Sequence, residues 1–373
     1  MKIKKIVAMS AAVGVALTGL AFASSASAEP VSNSYVLVGS DTLQDSTNAL
    51  LNGTRATGST VRILTADGNT VGSFDAFGTP AIQTKAGGPF FGRPSGSGQG
   101  VTALRSSITG NAYSGNAAVP TRVITGQVDI ARSSSGPGSN QNANGLLAYV
   151  PYARDAVAYA YKGGTAAWAN ITPGELKQIF DGTLKQIDGV DVHPRLPQAG
   201  SGTRNFFLPA IGYASGTTAA PGVSDTGNVT PENDASVLAA GDIIPFSVAS
   251  WVAQSNGVTG VNTRLATSAS DVALGSPVSG VVPFTGTGSA LVANGSYYSN
   301  GTFGRDTYLV VEYKRIDPSD AAYDVSLANL VNPALTTSLT NYGTFATTPG
   351  AVKTKFGFLK PAGSTVLRAY TSL

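Results

Sequence analysis

The stretch RLPQAGSGTRNFF, Arg195–Phe207, decides how the rest of the chain is read. A short extended run, Arg195–Gln198, enters a turn of small residues from Ala199 to Thr203. A helix with Phe206, Phe207 and Ala210 on its buried face is predicted to follow. The first N–H groups of a helix have no partner within it. They sit at the positive end of the helix dipole, which suits an anion. Ser201 and Thr203 add hydroxyl donors, and Arg195 and Arg204 add charge. A glycine-rich turn before a serine-capped helix is common in its own right. What sets this one apart is recurrence: Ser/Gly/Thr clusters also occur at 40–42, 95–97 and 133–135.

Composition narrows the function. Residues 1–28 carry Lys2, Lys4 and Lys5, an apolar run from Ile6 to Phe22, and Ala26-Ser27-Ala28, the pattern of a cleaved secretory signal. An exported, soluble chain starting near Glu29 is expected. Removing the three signal lysines leaves 21 basic against 21 acidic residues. That balance argues against nucleic acid or an anionic membrane surface as partner. With about 345 residues remaining, two domains are the prior. The chain has no Cys and one His, so disulfides, thiolate nucleophiles and multi-histidine metal sites are excluded. The missing Cys also removes the usual lipid anchor, and neither a cofactor nor a metal is called for. No G-x-S-x-G elbow or Walker A sequence occurs.

In chain order, Tyr35–Val38 predicts a strand, and Asp41 with Gln44 predicts a capping box for a helix bearing Leu43, Leu50 and Leu51. Val61–Thr65 and Val123–Ala131 predict strands, and the run after Gly96-Ser97-Gly98-Gln99-Gly100 predicts a helix. Leu146–Tyr161 reads as one long strand. Thr172-Pro173-Gly174-Glu175 predicts a capped helix through Phe180. Ile243–Phe246 and Thr307–Tyr313 predict strands, and Ser247–Gln254 predicts a helix. Helical pieces are expected at Leu327–Leu330 and Val352–Leu359. Strands alternating with helices suggest parallel α/β sheets, whose ligands bind beyond the carboxyl ends of the strands. Trp168 and Trp251 read as core, His193 as surface, and Asp129 and Asp155 as structural.

At this point the chain resembles the phosphate-binding substrate-binding proteins of ABC transporters, in the type II periplasmic-binding-protein (Venus flytrap) class. The resemblance rests on VGSDT (38–42), GSGQG (96–100), VDIARSSSGP (128–137), ITPGELKQIFDG (171–182) and GSGTR (200–204), in family order. It implies an α/β fold of two lobes joined by two crossover strands, near Ala156–Tyr161 and Thr307–Val311. Lobe one would be 29–159 with 305–373, and lobe two 160–304. It further implies a monomer that captures phosphate by lobe closure and serves an ABC permease. Carried over residue by residue, the ligand would meet Thr42, the Leu43 amide, Ser97, Ser201, Gly202 and Thr203.

Two departures stand out. The family's third turn has an Asp that accepts the proton of hydrogen phosphate; the matching residue here is Ser134, two residues after Arg132. Asp41 could take that role or cap its helix, and phosphate against sulfate stays open. The family arginine falls at Pro197. Arg195, on the same face of an extended strand, is the first candidate for the anchor and Arg204 the second. Thr203→Val and Arg195→Ala are then each expected to weaken binding strongly. Two other classes remain: an extracellular phosphoesterase, and a binding fold with a decayed or altered site kept for adhesion or as a coat.

Overall fold

The computed structural model describes residues 32, 34–223, 232–259 and 272–373. The signal segment and residues 224–231 and 260–271 lie outside the described residues. The framework is a nine-stranded mixed sheet. Its strands are β1 (Val36–Gly39), β2 (Gly72–Ser73), β3 (Ile130–Ser133), β4 (Leu147–Lys162), β5 (His193–Pro194), β6 (Asp242–Ser247), β7 (Val272–Gly275), β8 (Gly304–Glu312) and β9 (Leu367–Ala369). The path is β5-β6-β4-β8-β3-β1-β2, with β7 and β9 also paired to β4. The main helices are α1 (Gln44–Asn52), α2 (Ser97–Thr109), α3 (Pro173–Asp181), α4 (Gly202–Ala210), α5 (Val248–Ser255), α6 (Val325–Leu330) and α7 (Pro349–Lys355).

β4 ties the two lobes together. Leu147 to Ala156 pairs antiparallel with β8, and Val157 to Tyr161 pairs antiparallel with β6. Around its first half, side chains alternate between two cores, as the period of a strand requires. Ala148, Val150 and Tyr152 join Leu37, Ile130 and Leu309; Leu147 and Tyr149 join Val36, Val38 and Val310. Its second half enters a separate core with Trp168, Phe180, Phe207 and Trp251. Fourteen of its 16 residues are buried, all but Arg154 and Lys162. That burial explains why the run is apolar apart from Arg154, Asp155 and Lys162.

The helix signals for α3 and α4 give those elements for the reasons stated. Thr172 and Glu175 form a reciprocal capping box with Pro173 in the first turn of α3. Ser201 and Ser247 cap α4 and α5. Four readings need correction. Beyond β1, β2 and β3, and β5 with β6, the pairings of the sheet are antiparallel. Val61–Thr65 is not a strand: Val61 bridges Thr54, and Val61 and Ile63 are apolar because they pack with Leu50 and Leu51 of α1. Val123–Ala131 is broken by a turn at Gly126, whose φ is 72°. Asp41 and Gln44 do not form a capping box: Gln44 Oε1 accepts the Ala76 N–H, and Asp41 is used elsewhere.

Candidate functional site

β1 and β3 run parallel, side by side, and both end in hydroxyl-bearing turns. Arg132 fixes the first turn. Fully buried, it donates to the Ser40 carbonyl at 3.0 Å, the Ser73 hydroxyl at 2.8 Å and the Phe74 carbonyl at 2.5 Å. The second turn opens α2, where Ser97 Oγ lies 3.1 Å from Ser134 Oγ and accepts the Ser134 N–H at 3.0 Å. The fourth turn is held against the second by the Gly98 N–H, which donates to the Gly200 carbonyl at 3.1 Å. Gly202 leaves room for both hydroxyls as they stand: a Cβ would lie 2.3 Å from Ser134 Oγ and 2.4 Å from Ser97 Oγ and would make them turn away.

These turns meet around one carboxylate from the chain itself. Thr42 Oγ1 donates to Glu232 Oε1 at 2.5 Å, and Ser40 Oγ to the same atom at 3.2 Å. Ser201 Oγ donates to Glu232 Oε2, which also accepts the Thr203 N–H at 3.2 Å, a bond from the first turn of α4. The Ser201 hydroxyl at the same time accepts the Arg204 N–H at 3.0 Å, so it caps the helix and serves the ring together. Glu232 is fully buried.

The positive charge beside the ring comes from Arg305 in β8. Its Nη2 donates to Thr203 Oγ1 at 2.8 Å and reaches Thr42 Oγ1 at 3.4 Å. Asp155 of β4 lies directly across the ladder and grips the same guanidinium through Nε at 3.1 Å and Nη2 at 2.8 Å. The other Asp155 oxygen accepts Ser247 Oγ and the Ala249 N–H, each at 3.0 Å. Arg305 Nη1 is buried and has no hydrogen-bond partner among the described residues.

Asp41 completes the electrostatics. Its Oδ2 accepts the Glu232 N–H at 3.0 Å. Burial, then the Glu232 charge and a hydrogen bond between the two side chains, hold the Asp41 carboxyl well above its ordinary range. Burial pushes Glu232 upward too. The bond from Asp41, the Arg305 charge and the Ser201 and Thr42 hydroxyls outweigh it and bring Glu232 down to about 2. The pair therefore shares one proton. The folded state keeps a proton that the unfolded chain releases above a pH of about 4, so stability falls as pH rises through that range. Asp41→Asn preserves one acceptor and one donor and cannot titrate, with Arg132, Arg305 and Asp155 unchanged around it. It is expected to melt at a higher temperature than the native chain at pH 8, by a margin that closes as pH falls towards 4. A pH-independent margin in thermal melts would put the proton elsewhere.

Of the residues singled out in the sequence, Asp41, Thr42, Ser97, Ser134, Ser201, Gly202 and Thr203 are brought together. Leu43 precedes α1 with its side chain in the core. The two arginines expected to anchor an anion are engaged elsewhere. Arg195 pairs with Asp242 at 2.5 Å, because the strand that carries it lies beside β6. Arg204 points back to the Pro197 and Thr218 carbonyls. Arg195→Ala is accordingly expected to leave anion affinity unchanged within about twofold and to cost about 1–2 kcal/mol, the loss of one charged hydrogen bond. Paired titrations and melts check both. The residues missed were Glu232 and Arg305.

A family model described as a PBP superfamily domain matches residues 52–321. No curated protein matches the sequence. Among solved structures, a putative phosphate ABC transporter substrate-binding protein with bound phosphate from Clostridium perfringens is similar at TM-score 0.51 and 14% identity. The match covers 88% of this chain and 100% of that one. An ABC-type phosphate transport receptor from Vibrio cholerae is similar at TM-score 0.49 and 14% identity, covering 88% of this chain and 100% of that one.

Proposed function

This chain belongs to the PBP superfamily, and from that membership and the geometry of the ring we propose that it is an exported solute-binding protein capturing inorganic phosphate, or an oxyanion of similar size, between its lobes. One observation carries the reading. Donors from residues 40–42 and 201–203 converge on a single buried anionic group, with a guanidinium alongside. An anion, accepting from each of them with a guanidinium beside it, suits such a cluster of N–H and O–H groups in a dry place. Ser97, Ser134, Gly202 and the Leu43 amide extend the ring to the larger oxygen count of a tetrahedral ion. Phosphate is the first candidate, being the anion bound in the Clostridium perfringens protein of the same fold.

Lobe one is assigned to 29–159 with 305–373 and lobe two to 160–304, a division supported by the separate core around the second half of β4. The anion bridges the two and selects the closed arrangement; delivery to an ABC permease follows from the same reading. In this reading Asp41, in place of Ser134, is the acid that would accept the proton of a protonated anion, a role its carboxyl fills only when ionised. Calorimetric titration of the mature chain with phosphate and sulfate tests the reading. Phosphate binding is expected, weakened about 100-fold or more by Thr203→Val, which leaves Arg305 Nη2 without that acceptor. If neither anion bound, even with Glu232 removed, the reading would fall. A second reading, a binding fold with an altered site serving another exported role, draws on Ser134 at the usual acid position and on Glu232 within the ring.

A further inference from the structure

We propose that Glu232 is a built-in occupant of the anion ring: its carboxylate holds the place of an external oxyanion, which enters only when Glu232 leaves. This rests on the ring being an anion site, as argued above. The hydrogen bonds of the Glu232 carboxylate come from the ring: Ser40, Thr42, Ser201 and the Thr203 amide. Its backbone is docked at the same place, the N–H on Asp41 Oδ2 and the next carbonyl, of Asn233, accepting Gln254 Nε2 at 2.7 Å. A carboxylate so placed imitates two oxygens of a ligand.

It does not use the whole ring. Among the described residues Arg305 Nη1 is buried without a hydrogen-bond partner, and Ser97 and Ser134 hydrogen-bond each other rather than the carboxylate. A permanent structural acid would be expected to satisfy the donors gathered around it, because buried polar groups are costly to leave unpaired. The unused donors fit a stand-in with fewer oxygens than the ion it replaces. A tethered group competes at an effective concentration in the millimolar range. A tethered carboxylate that itself holds the ring with micromolar affinity then costs an external anion about two to three orders of magnitude in apparent affinity.

The experiment compares the native mature chain with Glu232→Ala and Glu232→Gln, titrating each with phosphate, sulfate and acetate. The Glu232 carboxyl of the native chain is followed by carbon NMR, its signal assigned by its loss in Glu232→Gln. Phosphate binding at least about 100-fold tighter in Glu232→Ala than in the native chain, with a carboxyl that does not titrate above pH 3, is the expected result. Acetate but not phosphate binding in Glu232→Ala, with no binding by the native chain, keeps the proposal and removes phosphate as ligand. Equal affinities in all forms overturn the proposal while leaving the oxyanion reading intact. Absence of every anion from folded Glu232→Ala, or a Glu232 carboxyl titrating near its ordinary value of about 4.3, also overturns it. Glu232→Gln, of the same shape, guards against a folding defect in the alanine variant.

Discussion

Arg305→Ala should abolish anion capture and destabilise the fold by about 3–5 kcal/mol, the usual consequence of stripping one partner from a buried ion pair. Arg305 and Asp155 have side chains 2% and 0% exposed, so the abandoned carboxylate has no water to turn to. Thr203 and Thr42 lose the charge that orients their hydroxyls at the same time. Two measurements separate the parts. Denaturant melts of Arg305→Ala against a double variant, Arg305→Met with Asp155→Asn, should show the double as the more stable, since it buries no lone charge. Titrations should show neither binding phosphate. Retained affinity in either variant would mean that the positive charge at this site is irrelevant to the ligand.

This pair was written in the sequence and was still overlooked. Arg154-Asp155 and Arg305-Asp306 are the same dipeptide in two otherwise apolar strands. Placed antiparallel in register, they give two reciprocal pairs, Arg305 with Asp155 and Arg154 with Asp306 at 3.0 Å. Because adjacent residues of a strand point to opposite faces, one pair looks into the ring and the other away from it. The strands themselves were evident from their largely apolar runs, though the second run begins only at Thr307 and leaves Arg305-Asp306 outside it. Their register was not, and register is what turns two isolated charges into a site. Arg195 was favoured instead because local spacing from the GSGTR turn was the only geometry available, and that geometry could not see Asp242.

Glu232 had no comparable trace. It sits in Pro231-Glu232-Asn233-Asp234, a polar stretch without periodicity, and meets partners as much as 192 positions away in the chain. The hydroxyl turns were legible because each joins a recognisable strand end or helix start. A lone acid in a loop carries no such frame, so only three-dimensional convergence reveals it.

The glycines of GSGQG make the last case, and they divide sharply. Gly100→Val is expected to cost about 3 kcal/mol, the upper end for overpacking against rigid neighbours, and to weaken anion binding with it. A Cβ at Gly100 would lie 2.6 Å from the Gly39 Cα, and one at Gly39 would lie 2.6 Å from the Arg132 carbonyl oxygen. Both obstacles are backbone, so no side chain can swing aside. Gly39 is committed further by its φ of 111°. α2 is therefore packed directly on the end of β1. Any retreat of the helix pulls Ser97 from Ser134 and from the cradle around Gly202. Gly98 differs, although it belongs to the same motif. A Cβ there would meet the Gly200 carbonyl oxygen at 3.6 Å, an ordinary contact. Gly98→Ala should be neutral or stabilise α2 by about 0.5–1 kcal/mol, the helical advantage of Ala over Gly. The motif then has two functions in five residues: Ser97 presents a hydroxyl to the site, and Gly100 lets the helix that carries it come close enough. Equal melting shifts for Gly98→Ala and Gly100→Val would deny that division and return the glycines to the status of a flexible loop.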